Sequence, residues 1–203
     1  MKGLLLKDMM VLKKQGALLA ILVAVYGVYS VASGDNSVFG SIIMLLGAML
    51  PITAMAYDEQ ANWDKLALAM PVSRAALAVS KYIMSVITIG IATLCNLAIQ
   101  WLIGGRLVWE DIMTILILSA LGFLFVAILF PLMYRFGVEK SRLMIIGVVL
   151  VPVLLILLAK SLGIPMPDEA GIKKIVSLIP VISLAALLLS MLVSISICQH
   201  KEY

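Results

Sequence analysis

Charge is scarce in this chain: 13% of its 203 residues are Asp, Glu, Lys or Arg, 64% are hydrophobic, and the mean hydropathy is +1.17. A soluble domain carries about a quarter charged residues on a mixed surface, so this chain needs an apolar environment outside itself. It has one histidine, His200, and two cysteines, Cys95 and Cys198. The lone histidine excludes the His-Glu-x-x-His zinc enzymes, and Cys198-Gln199-His200 supplies two ligands where a closed zinc site needs four. Ion-coupled carriers and intramembrane catalysts place ionisable groups at membrane depth despite a cost of roughly 2.5 to 3.5 kcal/mol each. The middles of the long apolar runs here contain none. Gly137-Val138-Glu139-Lys140-Ser141 looks like the end of a phosphate loop, but Glu139 stands where that loop needs glycine, and no strand precedes it. The chain is therefore expected to hold no cofactor or metal and to hydrolyse no nucleotide by itself.

What the sequence does have is long apolar runs. Strands of a membrane barrel would alternate polar and apolar residues, and these runs do not, which leaves helices of about 20 residues as the spanning elements. The expected fold is an all-α membrane protein forming one transmembrane domain over 1–203. An interfacial elbow helix over 1–15 precedes six transmembrane helices over 17–33, 38–57, 82–105, 112–134, 143–163 and 175–198. Lys13 and Lys14 lead into a long run with no small-residue cleavage pattern, so the first span is read as retained. In the first segment Leu5, Met9 and Leu12 share one helical face while Lys7 and Lys14 share another, the pattern of a helix lying at the membrane surface. Cys95 and Cys198 fall in the third and sixth spans and are read as apolar thiols without a disulfide.

Lysine and arginine in the short loops set the orientation. With the N-terminus inside, the cytoplasmic side collects Lys2, Lys7, Lys13, Lys14, Lys65, Arg74, Lys81, Arg135, Lys140, Arg142 and Lys201, and the other side only Arg106, Lys160, Lys173 and Lys174. Both ends of the chain and the loop over 58–81 are then cytoplasmic. The net charge of +4 is a signal of topology, and no nucleic-acid partner is implied. On the outer side Trp109 suits the interfacial belt, and Lys160 can snorkel to the headgroups. The segment from Gly163 to Gly171 is broken by Pro165 and Pro167, and Pro152 and Pro180 are candidate kinks. Within the spans, Thr93, Asn96 and Gln100 lie near one another on the third helix, and Ser183, Ser190 and Ser194 line one side of the sixth. These groups either bond between helices or line a pathway.

The loop over 58–81 has structure of its own. Asn62 to Met70 reads as a short helix ended before Pro71, and Ser73 as the N-cap of a helix that runs into span three. Trp63, Leu66, Leu68 and Met70 make this a knob with an apolar surface, more than a tether requires.

The same loop carries a resemblance. Asp58-Glu59, Trp63, Leu66, Met70-Pro71-Val72-Ser73-Arg74, Val79 and Lys81-Tyr82 are similar to the hallmark of the small permease subunits of bacterial type 2 ABC exporters: an acidic start, an aromatic, and a Leu-Pro-Val-Ser-Arg segment leading into Lys-Tyr. Met70 replaces the usual leucine. The opening Met1-Lys2-Gly3-Leu4-Leu5-Leu6-Lys7-Asp8 and the six-span layout match over the whole chain, and the nearest in appearance are the permeases of phenol-soluble-modulin peptide exporters. The resemblance implies a multi-pass protein of the bacterial plasma membrane that exports amphipathic or hydrophobic cargo, such as peptides or bacteriocin-like molecules. It implies two copies of a separate ABC ATPase, which bind ATP and Mg, and a second permease copy, identical or a close paralogue, met through spans one and five. The loop would be the coupling helix: Trp63, Leu66 and Met70 form an apolar plug for a groove on the ATPase, Pro71 sets the bend, and Glu59 and Arg74 pair within the loop or meet ATPase charges. Two other readings are the substrate-capturing subunit of a vitamin importer, which would need a richer outer pocket, and a non-transporting membrane immunity protein.

Overall fold

The computed structural model describes residues 2–63, 66, 73–162 and 169–200. Six helices follow one another: α1 Lys2–Ser33, α2 Ser37–Gln60, α3 Arg74–Gly104, α4 Trp109–Phe136, α5 Val138–Ser161 and α6 Glu169–His200. Among the described residues, five segments are long and apolar enough to cross a membrane: Gly16–Ser33, Ser37–Gln60, Arg74–Gly104, Trp109–Phe136 and Val176–His200. The sixth expected span, 143–163, falls on α5, and part of it lies outside the described residues. Met70 and Pro71 lie outside them too, with most of the short helix expected from Asn62 to Met70.

The elbow expected over 1–15 and the span expected over 17–33 lie on one helix, since α1 runs unbroken from Lys2 to Ser33, and the segment apolar enough to cross a membrane begins at Gly16. Lys13, Lys14 and Gln15 are good helix formers, and Gly16 alone costs about 1 kcal/mol. Without a proline nothing interrupts the hydrogen-bond ladder. The other helices extend past the apolar runs that locate them: α3 begins eight residues before Tyr82, where Ser73 caps it by accepting from the Ala76 N–H at 3.2 Å.

Between α1 and α2 the chain turns tightly. Asp35 accepts from the Ser37 N–H at 2.8 Å and the Ser37 hydroxyl at 2.9 Å, and these two bonds hold its carboxyl below the usual carboxylate range. At the α3–α4 turn Asp111 accepts from the Val108 N–H at 3.3 Å. Pro51, Pro131 and Pro180 lie inside α2, α4 and α6, where neighbouring helices in a bundle can accommodate the lost donor.

The centre of the bundle is α2, α3 and α4 in mutual contact, with α1 against α2 and α3, α6 against α4 and α3, and α5 against α4 and α2. Phe39, Ile43, Met44 and Ile52 of α2 pack with Tyr82, Ile89 and Ala92 of α3 and with Val126, Leu129 and Phe130 of α4. Gly47 permits close approach, since a Cβ there would lie 3.0 Å from the Ala92 Cβ and 3.2 Å from the Thr88 carbonyl oxygen. The Tyr82 ring meets the Phe130 ring edge-on at 4.9 Å, and its hydroxyl bonds the Ser190 and Ser194 hydroxyls at 2.7 and 2.8 Å. Ser190 also donates to the Ala127 carbonyl, so α3, α4 and α6 are joined by one buried polar chain. Both Ser190 and Ser194 thus sit in helix packing. Thr93 and Ser183 donate to their own helix backbone at Ile89 and Pro180, while Asn36 Nδ2 donates to Asn96 Oδ1 at 2.6 Å beside a cavity that Gln100 also lines.

Candidate functional site: a charged platform at one end of the bundle

The N-terminal part of α1, the last turn of α2, the start of α3, the α4–α5 corner and the end of α6 all meet at one end of the bundle. A square of four opposite charges ties three of them. Asp58 at the end of α2 accepts from Lys7 at 2.5 Å with one oxygen and from Lys81 of α3 at 2.6 Å with the other. Lys81 also donates to Asp8 at 2.8 Å, and Lys7 lies 3.1 Å from the same Asp8 oxygen. The side chains of Asp8, Lys81 and Asp58 are only 2%, 9% and 13% exposed. Charges taken this far out of water persist only when paired and hydrogen-bonded. The signs alternate around the square and sum to zero.

Trp63 closes one side. The Lys7 ammonium stands 4.4 Å above the centre of its ring, and the ring packs on Leu4 of α1 and Leu77 of α3. The residue after Asp58 points elsewhere, because one step along a helix turns a side chain by about 100°. Glu59 accepts from the backbone N–H of Val138, the first residue of α5, at 2.5 Å. Arg74 turns to the last helix, donating to the Gln199 carbonyl at 2.9 Å, and the Cys198 thiol meets the Arg74 carbonyl at 3.5 Å. Neither Cys95 nor Cys198 is in a disulfide.

Of the residues singled out in the sequence, Glu59, Trp63 and Arg74 thus meet at this platform through contacts within the chain. Leu66 is different, with 53% of its surface exposed. Met70 and Pro71 lie outside the described residues. The sequence marks Lys7 as a topology signal and as part of the polar face of the first helix, and gives Asp8 no role beyond its place in the opening motif. A clue existed, since Asp8 is the single acidic residue in a basic first segment. Among the described residues no group of three or more His, Cys, Asp or Glu could hold a metal ion.

The platform residues fall inside a match to known proteins: the family model described as ABC-2 family transporter protein matches residues 3–199. The chain belongs to this family. A search of curated proteins found no match. An ABC-2 permease is the membrane component of an ABC transporter and typically has no ATPase of its own, which places this chain in a multi-pass membrane setting beside an ABC ATPase. In this ABC-2 permease the acidic pair Asp58-Glu59, Trp63 and Lys81-Tyr82 each have a contact that fixes the base of the loop between α2 and α3.

Proposed function

We propose that this permease is the transmembrane subunit of an ATP-driven exporter, coupled to a separate ATPase through the loop between α2 and α3. The observation that carries the reading is the platform: a loop whose two ends are bound to α1, α2, α3, α5 and α6 moves only with the helices that span the membrane. A push on such a loop is delivered to the bundle as a tilt of near-rigid helices. Leu66, exposed on it, is the apolar contact offered to the ATPase.

The platform end is cytoplasmic on the lysine and arginine count, which puts both termini and this loop on one side of the bacterial plasma membrane, with six spans between them. Two permeases and two ATPases make the working transporter. The peripheral α1 and α5 have many exposed large apolar residues, among them Leu18, Ile21 and Val25 on α1 and Leu150, Leu154 and Leu157 on α5. These surfaces suit lipid and a second permease, identical or paralogous. Cargo is amphipathic or hydrophobic, peptides above all, since spans without ionisable centres offer an inorganic ion no ligands.

A tagged chain purified from its native membrane is expected to bring down an ABC ATPase in a particle holding two permeases, and the chain freed of that subunit to hydrolyse no ATP. A functional particle with a single permease, or hydrolysis that persists after every ATPase is removed, contradicts the reading.

A further inference from the structure

The α4–α5 corner lies beyond the reach of the charged square. It is held by Glu59. The corner turns at Gly137, whose φ of +83° belongs to the region that side chains other than glycine rarely adopt. A Cβ at Gly137 would lie 2.6 Å from Glu59 Oε1, so the missing side chain also makes the space that the carboxylate fills. The other oxygen, Oε2, takes the Val138 N–H, one of the donors that a helix start leaves without an intrahelical partner. Ser141, one turn further, bonds back to the Gly137 carbonyl through both its N–H and its hydroxyl, which fixes the first turn of α5 behind the contact. Val138 itself is buried. A carboxylate at a helix N-terminus is favoured by the helix dipole as well as by the hydrogen bond.

Among the described residues α5 is otherwise lightly held, touching α4 and α2 but no other helix extensively. Glu59 is the last acidic residue of α2 before the loop begins at Ala61, and it is neighbour to Asp58 in the square. A displacement of the loop therefore reaches the bundle through Asp58 to α1 and α3, through Arg74 to α6, and through Glu59 to the start of α5.

We infer that Glu59 is a positioning residue for coupling: it clasps the N-terminus of α5 to the base of the loop, so that α5 moves with the loop when the ATPases close. The inference rests on the coupling role proposed for the loop, but its geometric half stands apart from that role. It assigns Glu59 to an internal link and not to contact with the ATPase.

The test uses spin labels on cysteines at Gln60 and Lys140, both exposed and flanking the clasp, in a chain with Cys95 and Cys198 replaced by serine and alanine. Their distance is measured by electron paramagnetic resonance in the isolated permease and in the complex with its ATPase, with and without ADP-vanadate. With Glu59 present the distance is expected to be narrow and the same in all three states. Glu59→Ala is expected to broaden it and make it shift with nucleotide, and Glu59→Gln, whose side-chain carbonyl still accepts from Val138, to restore the narrow distribution. Gly137→Ala, which fills the carboxylate's space, is expected to resemble Glu59→Ala. ATPase hydrolysis in the complex is read in parallel, and release of the ATPase by Glu59→Ala would make Glu59 a docking residue and overturn the inference. An unchanged distance distribution in Glu59→Ala overturns it as well. The isolated permease gives this second result whether or not the loop binds an ATPase, so failure of the clasp and failure of the coupling role are told apart.

Discussion

Lys81→Met is expected to be among the most damaging single substitutions in the chain. Lys81 bonds both Asp8 and Asp58, and removing it leaves two carboxylates of low exposure to share the one ammonium of Lys7. Breaking a buried ion pair from one side costs about 3 to 5 kcal/mol, because the partner charge stays behind without compensation. Folded, monodisperse protein after heating in detergent is expected to fall sharply, with the loss visible without any ATPase present. Asp8→Leu combined with Lys81→Met removes one charge of each sign and leaves Lys7 with Asp58. Replacing a buried pair by apolar residues of similar volume is often neutral or stabilising, so the double variant should recover most of the lost stability. A double variant as unstable as the single one would show that the charges of the square do not set its stability.

Trp63→Ala is expected to separate folding from coupling. Its ring covers Leu4 and Leu77 and lies under Lys7, so truncation loses apolar contact and a cation–π contact worth about 0.5 to 2 kcal/mol. The helices keep their own packing, and the chain should still insert and purify. The base of the loop, however, loses its hold on α1 and α3. Each 1.4 kcal/mol spent re-ordering the loop on binding weakens affinity about tenfold, so the lost contacts should weaken ATPase binding on the order of 2- to 30-fold, read as less ATPase recovered with the permease. Trp63→Phe keeps the face under Lys7 and should retain most of the binding. Undiminished recovery with Trp63→Ala would mean that this anchor is irrelevant to the partner.

These two residues also show how much of the molecule could be read from the chain. The positions of the helices followed from the apolar runs, and Ser73 as the cap of α3 followed from a rule about side-chain oxygens at helix starts. The single helix α1 did not, because the charged Lys13-Lys14 pair suggested a boundary where nothing in the backbone chemistry enforces one. The loop was recognisable by its motif, yet what each motif residue touches depends on long-range packing. Trp63 reads equally well as a plug for a partner or as a cover for Lys7, and only the placement of α1 beside α3 shows the second contact. Glu59 meeting Val138 joins residues 79 positions apart, and no local pattern announces such a pair. Asp8 was the most available of the missed residues, since a lone acid among lysines near an apolar face needs a partner once it is buried. The polar residues of the spans were left open between packing and pathway, and the Tyr82 hydroxyl is what draws Ser190 and Ser194 into packing.

The central claim is that the platform end of this ABC-2 permease is where an ATPase docks. A photo-reactive benzoyl-phenylalanine at Leu66, exposed on the loop, illuminated in native membranes, tests it most directly, with the same group at Arg106 on the α3–α4 connection as the control from the opposite end. The Leu66 probe is expected to capture an ABC ATPase, identified by mass spectrometry, and the Arg106 probe to capture none. Capture of the ATPase from Arg106, or of no ATPase from Leu66 in a membrane where the complex is intact, would contradict it.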